Sequence, residues 1–345
     1  MRCIATLAII VSWLAAASPV AARPAPPQPI VIKFSHSAGA DTAKGKTIAH
    51  FKEVAEKRTG GAVRIEIFGN SQLYKDMEEY QALLLGAVHM IAPTTSTVGQ
   101  KGVRDFDVFD LPYLFPNLKA VHTITQGPIG KSLLDKLPAR GVVGLAYWDN
   151  GMRILTSNKP IATPADLQNK RMRGQYSKVF DTEMRVLGAK PLAAHFSDVK
   201  KGLDDDLFDG IEITLPNLYN LKLYTKQDYA VLTYHGYQGY VVLANKRFWE
   251  KLPPLIRKAL ESAMQETQSY ADEMARRDGE DSLAKMIANG KPIFHTPTES
   301  EQATWHHASK RVYVAIDNWM NNDLIQSIYD EIGKLGDTEQ VKILD

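Results

Sequence analysis

The residues that follow Pro253-Pro254 constrain this chain more than any others. Ile256, Leu260, Ala263, Thr267, Tyr270 and Met274 recur at helical spacing, no proline interrupts until Pro292, and the first glycine, Gly279, comes late. Even about 30 residues of helix at 1.5 Å each reach about 45 Å. That is longer than one α/β lobe, so the helix has to brace two bodies. The chain length of 345 residues also suits two domains. A second capping box, Thr298 with Glu301, opens a C-terminal helix.

The start of the chain supplies the α/β character. Ile30, Ile32 and Phe34 alternate with Val31, Lys33 and Ser35, which predicts a strand. Residues 41–58 read as a helix with Ile48, Phe51 and Ala55 on one face. Gly60-Gly61 turns the chain into a second strand, in which Val63, Ile65 and Ile67 alternate with Arg64 and Glu66. This is a βαβ opening. A helix over 76–88, a short buried strand over 90–93 and an apolar strand over 141–148 follow. Thr163 caps a helix with Pro164 at its first position and Asp166 three residues after the cap. A basic strand over 170–174, helices over 179–187 and 198–207, and a return strand over 240–244 complete this part.

The N-terminus reads as a targeting segment. Arg2 precedes a short apolar run, and Val20-Ala21-Ala22 is a small-residue cleavage site. The run is too short for a membrane span of roughly 20 residues. Export with cleavage after Ala22 is therefore expected, leaving residues 23–29 as a Pro/Ala-rich leader. The one cysteine, Cys3, lies inside the signal, which rules out thiol catalysis, disulfides and cysteine-bound metal in the mature chain. A mature chain of roughly 320 residues can bury a sufficient core without such staples. The formal charge of +2 becomes about +1 without Arg2, and no basic patch suggests nucleic acid. No later segment is long and apolar enough to cross a membrane.

Few residues suggest bond-making chemistry. Gly127-Pro128-Ile129-Gly130-Lys131-Ser132 resembles the tail of a phosphate loop, but Thr125 stands where the first glycine is needed, so a helix start is the better reading. Asp204-Asp205-Asp206 would diverge by about 100° each on a helix and cannot converge on one cation. His306-His307 lacks a partner four residues away. His36 and His235 are isolated, and no Gly-x-Ser-x-Gly elbow occurs. Neither a metal nor a cofactor is implied. Arg153 and Arg173 differ from these. A guanidinium keeps its charge and matches a carboxylate with two parallel hydrogen bonds. Buried without a partner it is costly, so each implies an acid. The residues leave two readings open: an internal pair, for instance with Glu212 or Asp209, or a ligand anion.

A wider pattern bears on that choice. Phe34-Ser35-His36, Ala82-Leu83-Leu84-Leu85-Gly86, the run from Phe109 to Phe115, Tyr147 to Met152, Ser157 to Arg173, Phe208-Asp209-Gly210, and His235-Gly236-Tyr237 through Phe248-Trp249 occur in a specific order and spacing. Together they resemble the periplasmic solute-binding subunits of tripartite ATP-independent periplasmic (TRAP) transporters, in particular those for four-carbon dicarboxylates. The resemblance implies a two-lobed periplasmic binding protein of α/β class, with a long helix across both lobes, that closes on a small organic acid. It implies that Arg173 forms the main salt bridge to the ligand carboxylate and that Arg153 engages a second carboxylate or a hydroxyl. His36, Thr94, Trp148, Phe196 and Tyr237 fall on segments that line the cleft in relatives. The partners implied are a small and a large membrane subunit.

One departure stands out. Relatives follow Asp-Gly with x-Glu-Asn-Pro, and that asparagine bonds the ligand; here Glu212 is followed by Ile213 and Thr214. Tyr176 replaces a small polar residue, and Asn217 is a candidate to compensate. A bulkier or less polar acid, such as an aromatic or hydroxy monocarboxylate, is thus an alternative ligand. An exported hydrolase and a binding protein of an ATP-driven importer are alternatives of other kinds. The expected division is residues 30–153 for the first lobe, completed by about 244–270, and 154–243 for the second, completed by about 271–345.

Overall fold

The structure, a computed structural model, describes residues 28–336. The expected signal segment, its expected cleavage site and most of the expected leader lie outside the described residues. Parallel strands β1 (Ile30–Ser35), β2 (Val63–Phe68) and β3 (Met90–Ile91) are separated by helices α1 (Ala43–Arg58) and α2 (Asp76–Leu85). After α3 (Thr95–Gln100), α4 (Leu118–Thr125) and α5 (Pro128–Leu134) comes β4 (Val142–Ser157). A second parallel set alternates β5 (Arg171–Gly174), α6 (Lys178–Val186), β6 (Lys190–Ala193), α7 (Val199–Asp204), β7 (Gly210–Thr214) and α8 (Leu215–Asn220). Then β8 (Tyr229–Asn245) returns antiparallel along β4. The chain ends with α9 (Lys246–Lys251), α10 (Pro254–Ala288), β9 (Ile293–His295), α11 (Glu299–Ile316) and α12 (Asn322–Gly333).

The strand order β2-β1-β3-β8-β4-β7-β5-β6, with β9 beside β8, places one parallel set at each end of the sheet. These sets are the cores of the two lobes. Only β4 and β8 continue through both. They pair from Val142↔Asn245 to Ser157↔Tyr229; β8 also meets β3 at Met90↔Ala244, and β4 meets β7 at Leu155↔Glu212. Both strands are longer than the sequence suggested, at 16 and 17 residues. The polar run Asp149-Asn150-Gly151 reads as a strand end but is a bulge. The register slips between Asp149 and Gly151, where Gly151 takes φ 134°, a conformation glycine adopts without strain. In β8 the polar residues Thr233, His235 and Gln238 hide the first two thirds of the strand from a hydrophobicity reading.

The long helix is α10, 35 residues without a break at Gly279. At 1.5 Å per residue it spans about 50 Å. Leu260, Met264 and Ala271 pack among Ile32, Phe51 and Val242 of the first lobe. Met286 packs with Ile211 and Leu218 of the second. One helix therefore contributes to two cores. The capping box that opens α11 is present, with Thr298 N donating to Glu301 Oε2 (2.7 Å) and Glu301 N to Thr298 Oγ1 (3.3 Å). Trp305 of α11 packs with Leu167 and Met172, whereas Ile325 and Ile328 of α12 pack with Phe106 and Val121. The helix expected after Thr163 is a single 3-10 turn, Pro164–Leu167. Gly127-Pro128 opens α5, and Asp204 and Asp205 turn to different lysines, Lys226 and Lys201.

Candidate functional site

Parallel strands deliver their C-terminal ends, and the helix starts that follow them, to the crevice between the lobes. Ligands of open α/β sheets bind at such places. One cavity here is built in that way, enclosing about 550 Å³ of empty space with its mouth included. Ser37, Ala38 and Lys44 reach it from the turn after β1 and the start of α1. Asp76 and Glu79 come from α2, Pro93 and Thr94 from the segment after β3. The second lobe supplies Arg173 and Gln175 from β5 and the turn after it, Phe196 after β6, and Glu212, Ile213 and Asn217 from β7 and α8. Gln238 and Tyr240 of β8 complete the wall.

Hydrogen bonds tie the lobes around this cavity. His195 Nδ1 is 2.6 Å from Asp76 Oδ1, Phe196 N donates to Asp76 Oδ2 (3.3 Å), and Lys75 Nζ donates to Asp198 Oδ2 (2.9 Å). On another side, Gln175 Nε2 donates to Ser96 Oγ (2.7 Å), and Ser177 Oγ to Asp110 Oδ2 (2.6 Å).

Arg173 is 5% exposed. Its Nη2 donates to the Ala194 carbonyl (2.7 Å), and its Nε has no partner. Among the described residues no carboxylate lies within the 4.0 Å ion-pair distance of its guanidinium. Burial lowers its pKa to about 10; Asp76 and Glu212 oppose that shift from a distance without cancelling it. Gly174, next to it on β5, lets the Phe180 ring pack against the backbone, since a Cβ there would stand 2.3 Å from that ring. This is a desolvated cation whose counter-charge the protein does not complete.

Arg153 is placed otherwise. It is 1% exposed on β4, with Nη2 2.5 Å from Asp110 Oδ1 and Nη1 3.4 Å from Glu212 Oε1. Burial works against its charge, but Glu212 and Asp110 together carry its pKa above the ordinary value. His235 Nε2 lies 3.3 Å from the same Glu212 oxygen, and Thr233 Oγ1 is 2.7 Å from His235 Nδ1. Burial, with Glu212 adding like charge, pushes the neighbouring Glu183 up to about 7. Arg153 does not line the cavity, so the second-carboxylate role that the resemblance gave it finds no support in its position.

The other expected residues divide. Thr94, Phe196, Glu212 and Asn217 line the cavity, as does Ile213, the departure from the family pattern. His36, Trp148 and Tyr237 do not. Burial, with Lys44 nearby, drives the His36 pKa down to about 3. Trp148 stacks on Phe34 in the first-lobe core, 6.4 Å between ring centroids. Tyr237 donates to Asp149 Oδ1 (2.6 Å) among Phe109 and Phe115. Tyr176 lies against His195, 5.2 Å between centroids, beside the cavity. Sequence reasoning missed Lys44, Asp76, Glu79, Gln175, Gln238 and Tyr240. Lys44 and Asp76 each sit in the first turn of a helix that follows a parallel strand, which is the signal that could have found them.

Two groups bring three potential metal-ligating atoms within 4.8 Å of one another: His122, Asp149 and Asp272, and Glu183, Glu212 and His235. Each is already engaged internally, the first through His122 Nε2 at 2.5 Å from Asp149 Oδ2, the second through Arg153. Among the described residues no helix is long and apolar enough to cross a membrane.

Known proteins resemble this chain in sequence and fold. The family described as bacterial extracellular solute-binding protein, family 7, matches residues 34–318. The C4-dicarboxylate-binding periplasmic protein DctP of Rhodobacter capsulatus is 47% identical over 290 residues, covering 84% of this chain and 87% of that protein. A TRAP periplasmic solute-binding protein from Shewanella oneidensis, solved with bound succinate, superposes with a TM-score of 0.85 at 32% identity, over 88% of this chain and 99% of that one. One from Pseudomonas aeruginosa, solved with bound L-malate, gives 0.81 at 31% identity, over 83% and 100%.

Proposed function

Because the chain belongs to the bacterial extracellular solute-binding protein family 7, whose members bind solutes rather than transform them, we propose that it captures a four-carbon dicarboxylate between its lobes. In this reading Arg173 is the principal carboxylate anchor. After export and cleavage at Ala22, the closed form delivers the acid to a membrane permease made of a small and a large TRAP subunit. The observation that carries the proposal is the unpaired Arg173 guanidinium, buried in the interlobe cavity. A ligand carboxylate there would supply the missing charge, and exclusion of water on closure would strengthen the attraction. The C4-dicarboxylate relative at 47% identity and the succinate- and malate-bound structures supply the ligand class.

A thermal-shift screen across mono- and dicarboxylic acids tests this directly, since a tight ligand raises the melting temperature by mass action. Stabilisation by succinate, fumarate or malate, lost in Arg173→Ala, is the expected result. Stabilisation by none of them, or an equal shift in Arg173→Ala, would overturn it. A bulkier, less polar acid is the second reading, favoured by one observation: apolar Ile213 lines the cavity at the place where the resemblance leads one to expect a hydrogen-bonding asparagine.

A further inference from the structure

The cavity has a second buried cation, supplied by the other lobe. Lys44 follows the Thr42 cap in the first turn of α1, in the first lobe, and is 5% exposed. Its ammonium donates to the Ala92 carbonyl (3.1 Å) and lies 3.9 Å from the centroid of the Tyr240 ring. An ammonium has three donors, so this bond leaves others free. Among the described residues no carboxylate lies within 4.0 Å of it. The charged groups around it are Glu79 and Asp76 of α2, with His36 behind it. Ser35 Oγ donates to Glu79 Oε1 (3.0 Å), so Glu79 is held from its other side. Burial lowers the Lys44 pKa to about 8 and raises that of Glu79 to about 7, each opposed by the other. Among the described residues, then, Lys44 has acids near it but no carboxylate in ion-pair contact. The N-terminus of the 16-residue helix α1 adds positive potential at the same place.

Two incompletely paired cations therefore enter one cavity from opposite lobes. We propose that Lys44 is the second anchor, holding the far carboxylate of a ligand whose near carboxylate sits on Arg173. Lys44 then selects diacids over monoacids, and it takes the second-carboxylate place that the resemblance had given to Arg153. The inference rests on the Arg173 reading above. It also gives closure a cause, because a diacid joins a cation of one lobe to a cation of the other.

Calorimetry with succinate and butyrate, which differ by the far carboxylate, separates the outcomes. In the wild type, succinate should bind at least about 100-fold tighter than butyrate. Lys44→Met should weaken succinate by about 30-fold or more and leave butyrate within about threefold, whereas Arg173→Ala should weaken both. If Lys44→Met keeps the wild-type preference for succinate, or weakens both acids equally, Lys44 is not the second anchor even though the protein binds diacids. If the wild type binds no diacid, the proposed function fails and this inference falls with it. Should Lys44→Met not fold, Lys44→Arg carries the test. It retains the charge but moves it, so succinate should weaken more than butyrate, and unchanged affinities for both would overturn the assignment.

Discussion

Arg153 and Arg173 lie on either side of β7, both almost wholly buried, and Glu212 stands on the strand between them. Glu212 engages Arg153 at 3.4 Å and approaches Arg173 no closer than the ion-pair limit. Arg153 thus sits in an acid-rich cage of Asp110, Glu212 and Glu183, while Arg173 has only the Ala194 carbonyl; the Nε of both is unpartnered, so the carboxylates alone tell them apart. The same side chain can hold a fold together or recognise a ligand. What separates the two roles is whether the protein completes the countercharge itself.

The largest effect should come from breaking the completed side. Arg153→Ala strands two buried acids and should cost about 3–5 kcal/mol of unfolding free energy, measured by urea denaturation. A loss under about 1 kcal/mol would mean that the cage is dispensable. Arg173→Ala should do the reverse. Binding should fall by about 2–5 kcal/mol in calorimetry, while the ligand-free protein melts at or above the wild-type temperature. Arg173→Lys should also weaken binding, because the planar fork is lost; equal affinity would reduce Arg173 to a point charge.

A smaller effect is expected along the pH axis. Glu183 has a folded pKa raised to about 7, so the folded state holds its proton more tightly than the unfolded chain does. Its contribution to stability is present in full below the unfolded value near 4.5 and is lost as pH rises through about 7. Glu183→Gln should flatten the decline in stability between about pH 5 and 8; an undiminished decline would remove Glu183 as its source. The smallest change should follow Ile213→Asn, which restores a donor and acceptor to the Arg173 side. Its effect on affinity should be about 1 kcal/mol, larger for malate than for succinate. Identical shifts for both acids would show that the introduced amide does not meet the ligand hydroxyl.

Much of this contrast was legible in the sequence, but not which arginine was which. The strand periods at 30–35 and 63–67, the capping box at Thr298 and the unbroken register after Pro253 follow local rules, and the structure keeps them. Arg153 and Arg173 looked alike because pairing is decided by residues far away in sequence: Glu212, brought in by the sheet order, and Asp110, at the end of the 3-10 turn Arg104–Asp110. The length of β4 and β8 was hidden for a related reason. A bulge at Asp149-Asn150-Gly151 uses the residues of a turn. Lys44 escaped notice because a lysine in a first helical turn reads as a solvated residue until the tertiary fold buries it.

The passage of β4 and β8 through both lobes has a mechanical consequence. Two strands bonded along their length bend readily out of the plane of the sheet and resist shear within it, like a leaf spring. Their register slips at three places, Gly144–Ala146, Asp149–Gly151 and Arg153–Leu155, each an interruption of the regular ladder. With α10 lying across both lobes as a stiff rod, the molecule has one soft direction of motion. On the proposed reading, opening and shutting would trace a single arc, and the shape offered to the permease would be set by a single angle.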